Sequence, residues 1–151
     1  MVILMILIGG VTRLTDSGLS MVEWRPLWGF LPPISQFEWN RVFELYMKSP
    51  EYIFKNKGMS LEEFKEIFFW EYFHRLWGRL IGIIFIIPLL FFIIVKKIPK
   101  SILSKLFLIL FLGGLQGFIG WWMVKSGLVN DPTVSQYLSL IHISEPTRQE
   151  A

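Results

Sequence analysis

Two long apolar runs joined by a short basic turn constrain this chain more than any other feature of its sequence. The runs cover residues 68–95 and 102–124. Each is long enough for a helix that crosses a bilayer core, which needs about 20 residues. Of the 151 residues, 53% are hydrophobic and only 18% are charged, which is fewer charges than a soluble domain usually carries. The sequence therefore predicts an all-α, polytopic membrane protein.

The lysines between the two runs predict the orientation of the helices. Lys96, Lys97 and Lys100 lie in the turn at residues 96–101, and Lys105 follows it closely. By the positive-inside rule this turn faces the cytoplasm or the mitochondrial matrix. Residues 12–67 mix acids and bases and contain turn residues, so we expect an extracytoplasmic loop with short helices, one of them near residues 39–47. Residues 125–137 should form a second outer loop and the start of another helix.

The first residues and the residue composition narrow the class of protein further. Residues 1–11 are apolar but cover only about half of a hydrocarbon core, so we expect the end of a truncated transmembrane helix and an artificial start at Met1. The chain has no cysteine, which excludes disulfides, thiolate metal sites and covalently attached haem. Its basic residues do not form a patch interleaved with aromatics, so nucleic acid is not an expected partner.

Local patterns predict several details of the helices. Ser60 and Glu63 have the spacing of a capping box, so a helix should begin there and run into the first span, where Pro88 should kink it. In the second span, Gly113, Gly117 and Gly120 recur at helical spacing and favour close helix packing. Gln116 could bond across helices or face a cofactor, and the sequence leaves both open.

A carboxylate and an imidazole lie one helical turn apart at the mouth of the first apolar run. Glu71 and His74 are at i and i+3, and Arg75 and Arg79 are at i and i+4. Haem needs an imidazole for its iron, apolar walls for its ring and cations for its propionates, and this segment offers all three. In the plainer alternative, the arginines are interfacial anchors and Glu71 pairs with one of them.

Motifs along the chain resemble those of haem A synthases of the bacterial and mitochondrial type. The resemblance runs, in order, through residues 9–20, 24–26, 32–33, 50–52, 63–65, 70–75, 113–117, 120–128 and 134–137. That family implies an eight-helix membrane protein made of two similar four-helix halves, each with a pair of histidines for a haem. This chain resembles the first half, which in the family is taken to bind the substrate haem.

The resemblance implies a function and a set of site residues. His74 would be the axial ligand of the haem iron, and Glu71 the catalytic carboxylate in the oxidation of haem O to haem A for cytochrome oxidase biogenesis. Arg75, Arg79 and, more weakly, Arg13 would bind the propionates. A haem b is expected in the missing half, and the implied surroundings are the bilayer of a bacterial cytoplasmic (inner) or mitochondrial inner membrane. Haem O synthase and cytochrome oxidase assembly factors would be possible partners.

The C-terminal residues depart from the family pattern. His142 falls at the register of the family's second histidine, so it is a candidate ligand. It is weaker than His74 because its neighbours do not match the family. Its neighbours instead resemble the translation of a sequencing-library adapter, so residues 138–151 are expected to be a non-native tail. Two other functions stay open from the sequence: a non-catalytic electron-transfer subunit that binds haem b, and a membrane assembly or interaction protein. We expect this segment of a longer protein to be inactive by itself.

Overall fold

The computed structural model describes residues 1–23, 30–127 and His142. Five helices follow one another in the described ranges: α1 (Val2–Leu14), α2 (Gln36–Tyr46), α3 (Pro50–Phe54), α4 (Leu61–Ile94) and α5 (Lys100–Gly127). Two of them, α4 and α5, are long and apolar enough to cross a membrane. The protein is thus an all-α membrane bundle, as its sequence predicts.

Helix α4 is one continuous helix of 34 residues that contains the first predicted span. It begins at the predicted capping box: the Ser60 hydroxyl accepts from the Glu63 amide at 3.3 Å, and a Glu63 carboxylate oxygen accepts from the Ser60 amide at 2.7 Å. Pro88 lies inside the helix, as expected. The first turns of α4 precede the apolar run. The helix therefore starts outside the predicted span and continues into that span without a break.

Helix α1 packs along α4 on the side where α4 enters the apolar run. The Thr12 hydroxyl donates to the Ile8 carbonyl at 2.9 Å and approaches the Trp70 carbonyl at 3.4 Å. The Trp77 indole donates to the Met1 carbonyl at 3.2 Å. These contacts at both ends of α1 fix its position along α4.

The segment between α1 and α4 has an aromatic core of its own, which packs on the first turns of α4. Tyr46 of α2 and Phe64 and Phe68 of α4 are buried at its centre. Their rings pack closely, with 4.9 Å between the centroids of Tyr46 and Phe64. Helix α2 covers most of the helical pattern predicted near residues 39–47, whereas the short helix α3 was not predicted. This core ties α2 and α3 to α4.

The turn between α4 and α5 ends α4 with a Schellman motif, in which Lys96 has a φ of +53°. The Lys96 amide donates to the Ile93 carbonyl at 3.0 Å, and the Lys97 amide donates to the Phe92 carbonyl at 3.1 Å. Helix α5 begins at Lys100, two residues before the predicted second span. The turn is therefore short enough to keep α4 and α5 side by side.

Three regions of the sequence prediction fall mainly outside the described residues. They are the motif at residues 24–26, the outer loop and helix start at 125–137 beyond Gly127, and the tail at 138–151 apart from His142. The orientation of the bundle in the membrane stays a prediction.

Candidate functional site

A cavity of about 640 Å³ lies between α1, α4 and α5 and contains the predicted site. Its volume is within the range of about 300–1,000 Å³ that is usual for ligand pockets. The lining includes apolar side chains and glycines of all three helices. Its predicted polar residues are Arg13, Glu71, His74, Arg75, Arg79, Gln116 and His142. These predicted residues come from three separate helices and from His142, and they all line one cavity.

The two histidines of the chain approach each other across this cavity. The ring centroids of His74 and His142 are 6.1 Å apart, and the planes of the rings are inclined at 72°. Two imidazoles on one metal ion, each with a metal–nitrogen bond of about 2 Å, have ring centres about 6 Å apart. Two imidazoles are sufficient protein ligands for a metal whose other ligands belong to its own cofactor, as those of haem iron do. The spacing therefore fits a haem ligated from both sides.

Helix α5 holds His142 through a glycine and a glutamine. A Cβ atom built on Gly120 would lie 2.6 Å from Cε1 and 3.0 Å from Nε2 of His142, so only glycine leaves room for the ring. The Gln116 amide nitrogen donates to the His142 carbonyl. No described residue bonds the buried Nδ1 of His142. Gln116 therefore bonds to His142 and also lines the cavity, while the sequence had left open a bond across helices or a place facing a cofactor.

The glycines of α5 that the sequence singled out face the cavity. Gly113 and Gly117 line the cavity, and a Cβ atom on either would meet no other atom within 4 Å. The expected close packing of a helix on this face is not seen among the described residues. The space that these glycines leave belongs to the cavity, with His142 at one end.

Glu71 is buried, with 2% of its surface exposed, and three donors bind its carboxylate. Oε2 accepts from the Ser20 hydroxyl and from the Met21 amide, both at 2.7 Å. Oε1 accepts from the Arg75 guanidinium. Ser20 and Met21 follow the turn after α1, so Glu71 joins this turn to α4 and is held in one orientation at the cavity wall.

The three predicted arginines all line the cavity, but their partners differ. Arg75 forms an ion pair with Glu71 and approaches the Met21 carbonyl at 3.4 Å, as the plainer interpretation of the sequence anticipated. The Arg79 guanidinium lies 5.5 Å from the centre of the Phe30 ring. Arg13 belongs to the last turn of α1. Arg13 and Arg79 thus bring positive charge to the cavity from two helices.

Several cavity residues were not predicted from the sequence. Glu51 and Lys55 reach the cavity from α3 and the residue that follows it, and Asp16 reaches it from the turn after α1. Helix α3 has only five residues, too few for an apolar period to reveal which side is buried. Ser49 and Pro50, an N-cap residue followed by a proline, were the only local signal of this helix.

The fold and the cavity together define a class: a helical membrane protein with a cavity between its helices and two histidines on the cavity wall. Sequence comparison is more specific. Residues 1–145 match the family of cytochrome oxidase assembly proteins, and the chain belongs to that family. His142 lies within the matched range. No solved structure matches the chain.

Curated relatives of the chain are named haem A synthase. The protein of Nitrosospira multiformis is 57% identical over 95% of this chain and 40% of its own length. That of Granulibacter bethesdensis is 51% identical over 95% of the chain and 39% of its own length. That of Parvibaculum lavamentivorans is 46% identical over 97% of the chain and 43% of its own length. The chain thus spans about two fifths of the length of these relatives.

Proposed function

We propose that the complete protein is a haem A synthase, which oxidises the methyl group of haem O to the formyl group of haem A, and that this chain carries the substrate site. The observation that carries the proposal is the cavity in which His74 faces His142 beside the buried Glu71. The names of the relatives agree with it. They come from bacteria, which supports a location in the bacterial cytoplasmic membrane.

Each predicted residue except Arg75, which Glu71 engages, has a role that its position supports. His74 and His142 would ligate the iron of haem O, which also supplies the methyl group to be oxidised. Arg13 and Arg79 would bind the propionates by charge-assisted hydrogen bonds. Glu71 is immobilised by its three donors, so it would act as a fixed negative charge that stabilises positive charge developing at the methyl carbon.

Substitutions at His74 and Glu71 test this assignment in the complete protein. We expect His74→Ala to abolish binding of haem O. Glu71→Gln should retain bound haem but lower the rate of conversion about a hundredfold, because a preorganised charge is lost. Both are measured by extracting the haems from membranes supplied with haem O and separating haem O from haem A. Glu66→Gln, at an exposed position of the same helix, is the control and should convert normally.

The same experiment separates the other candidate functions. The ion pair between Glu71 and Arg75 favours a structural role for Glu71, as expected in an electron-transfer subunit that only holds haem b. In that case the wild-type protein would bind haem without making haem A. A membrane assembly protein without a haem site would hold no haem at all. Normal haem A production by Glu71→Gln would contradict the catalytic assignment.

A further inference from the structure

A second buried carboxylate, that of Glu51, lines the same cavity as Glu71 and His74. Glu51 belongs to α3, outside the predicted spans, and only 3% of its surface is exposed. No described residue donates a hydrogen bond to its Oε2 atom, which is buried. An ionised carboxylate is costly to bury without donors, so this one is suited to carrying a proton.

The surroundings of the two carboxylates differ in the way that usually separates a fixed charge from a proton carrier. Three donors bind Glu71, whereas Oε2 of Glu51 has none among the described residues. Pairs of titratable groups whose environments differ in this manner commonly divide acid and base roles between them. Glu51 is the member of the pair that can change its protonation state without breaking an ion pair.

Titratable groups from several of the described elements act on Glu51. Burial raises its pKa from an ordinary 4.5 to about 7, and the negative charges of Glu71 and Asp16 act in the same direction. Hydrogen bonding by the Tyr46 hydroxyl and the positive charge of Lys55 lower the pKa. Glu51 therefore exchanges its proton near neutral pH, where small changes in these neighbours alter its charge.

Three arginines also line the cavity, and one of them, Arg79 of α4, is a proposed propionate partner. Arg75 of α4 is engaged by Glu71, and Arg13 of α1 is a proposed propionate partner. Lys55 is exposed and yet lines the cavity, so the end of the cavity at α3 adjoins water. Glu51 thus lines the cavity one helical turn from a residue that water reaches.

We propose that Glu51 accepts a proton released in the cavity during oxidation of the substrate and passes it to water at the outer end. The inference rests on the proposed function. The step is a proton transfer only: an O–H bond forms at Oε2 as the bond of the proton to its donor breaks, and the electron pair stays with the donor. The proton then leaves to water, which restores the carboxylate.

The first test is the pH dependence of haem A formation by the complete protein. Because Glu51 accepts a proton only when ionised, the wild-type rate should rise with pH, with a midpoint near 7. Glu51→Gln should keep its haem, lose this rise and convert about a hundredfold more slowly at pH 8. Glu51→Asp should retain the rise. Tyr46→Phe should move the midpoint of the rise to higher pH, because it removes a hydroxyl that stabilises the ionised form of Glu51.

The second test does not depend on activity. Infrared difference spectra of the complete protein should show a carboxylic acid band that disappears as the pH is raised through about 7. The band should be absent in Glu51→Gln and present in Glu44→Gln, a control at an exposed glutamate of α2. Tyr46→Phe should shift its midpoint upwards, which assigns the band even if Glu51→Gln does not fold.

The outcomes separate the inference from the proposed function. A wild-type protein that holds haem but makes no haem A would refute the function, and the infrared titration would then decide alone whether Glu51 exchanges a proton near neutral pH. If the wild-type protein makes haem A, an unchanged rate and pH profile in Glu51→Gln would overturn the inference. So would the absence of a titrating band that responds to Glu51→Gln or Tyr46→Phe.

Discussion

Gly120 provides the space in which the His142 ring lies, so a single methyl group should displace the proposed second ligand. We expect Gly120→Ala to push the ring away, because the added Cβ would lie 2.6 Å from Cε1. The complete protein should then bind haem about tenfold more weakly, a loss typical of disturbed ligand positioning. Its absorption spectrum should also change from that of a haem with two imidazoles.

Gly114→Ala is the matched control for that substitution. Gly114 is exposed on the same helix, and a Cβ atom there would meet nothing within 4 Å. Alanine favours helix more than glycine does, so this variant should bind haem normally and be slightly more stable. Equal haem affinity and equal spectra in the two variants would exclude His142 as a ligand.

A site residue could be predicted from the sequence only where the pattern that reveals it lies within a few positions along the chain. Glu71 and His74 were recognisable because one helical turn separates them at the edge of an apolar run. Two partners of Glu71 were not, since Ser20 and Met21 are some 50 positions away and meet it only when α1 docks on α4. Glu51 was missed for the same reason, because its burial follows from the docking of α3.

Helix ends show the same contrast between local and long-range signals. The start of α4 was predicted because Ser60 and Glu63 satisfy each other's backbone amides within four residues. The end of α4 has no such signature. Lys96 occupies the left-handed position that glycine usually takes, so the sequence gives no sign of the Schellman motif there.

Relieving the backbone strain at Lys96 should stabilise the turn between α4 and α5. A left-handed conformation costs an L-residue about 1–2 kcal/mol, whereas glycine adopts it readily. We expect Lys96→Gly to raise the free energy of unfolding of the complete protein by about 1 kcal/mol. Thermal denaturation in detergent measures the change.

Lys97→Gly controls for the loss of a lysine from this turn. Lys97 does not have a positive φ, so glycine there only adds freedom to the unfolded chain and should lower stability slightly. Stabilisation by both substitutions would point to charge repulsion among the lysines, and not to the conformation of Lys96.

The orientation of the whole bundle is predicted by the lysines of the same turn. A reporter fused after Lys100 should be active only on the cytoplasmic or matrix side, because positively charged loops are retained there. A matched fusion after Lys57, in the segment between α3 and α4, should report from the opposite side. Extracytoplasmic activity of the Lys100 fusion would reverse the orientation.

The arrangement of the helices as a whole was only partly foreseeable. The length of the apolar runs identified the two spans, and the short turn between them made them neighbours. The aromatic core around Tyr46, Phe64 and Phe68 could not be inferred, since it joins α2 to the first turns of α4, before and at the start of the predicted span. The cavity was also unpredictable, because its shape follows from the docking of α1 and the position of His142.

The length of α4 sets the depth of the site in the bilayer. From His74 to Ile94 the helix rises about 30 Å, which equals the thickness of a hydrocarbon core. This length predicts that His74 lies level with the boundary between lipid and water, at the end of the helix away from the lysines. A flat amphiphile bound there would keep its charged edge in the headgroup layer and its apolar substituents among the acyl chains. It could therefore arrive by lateral diffusion within one leaflet.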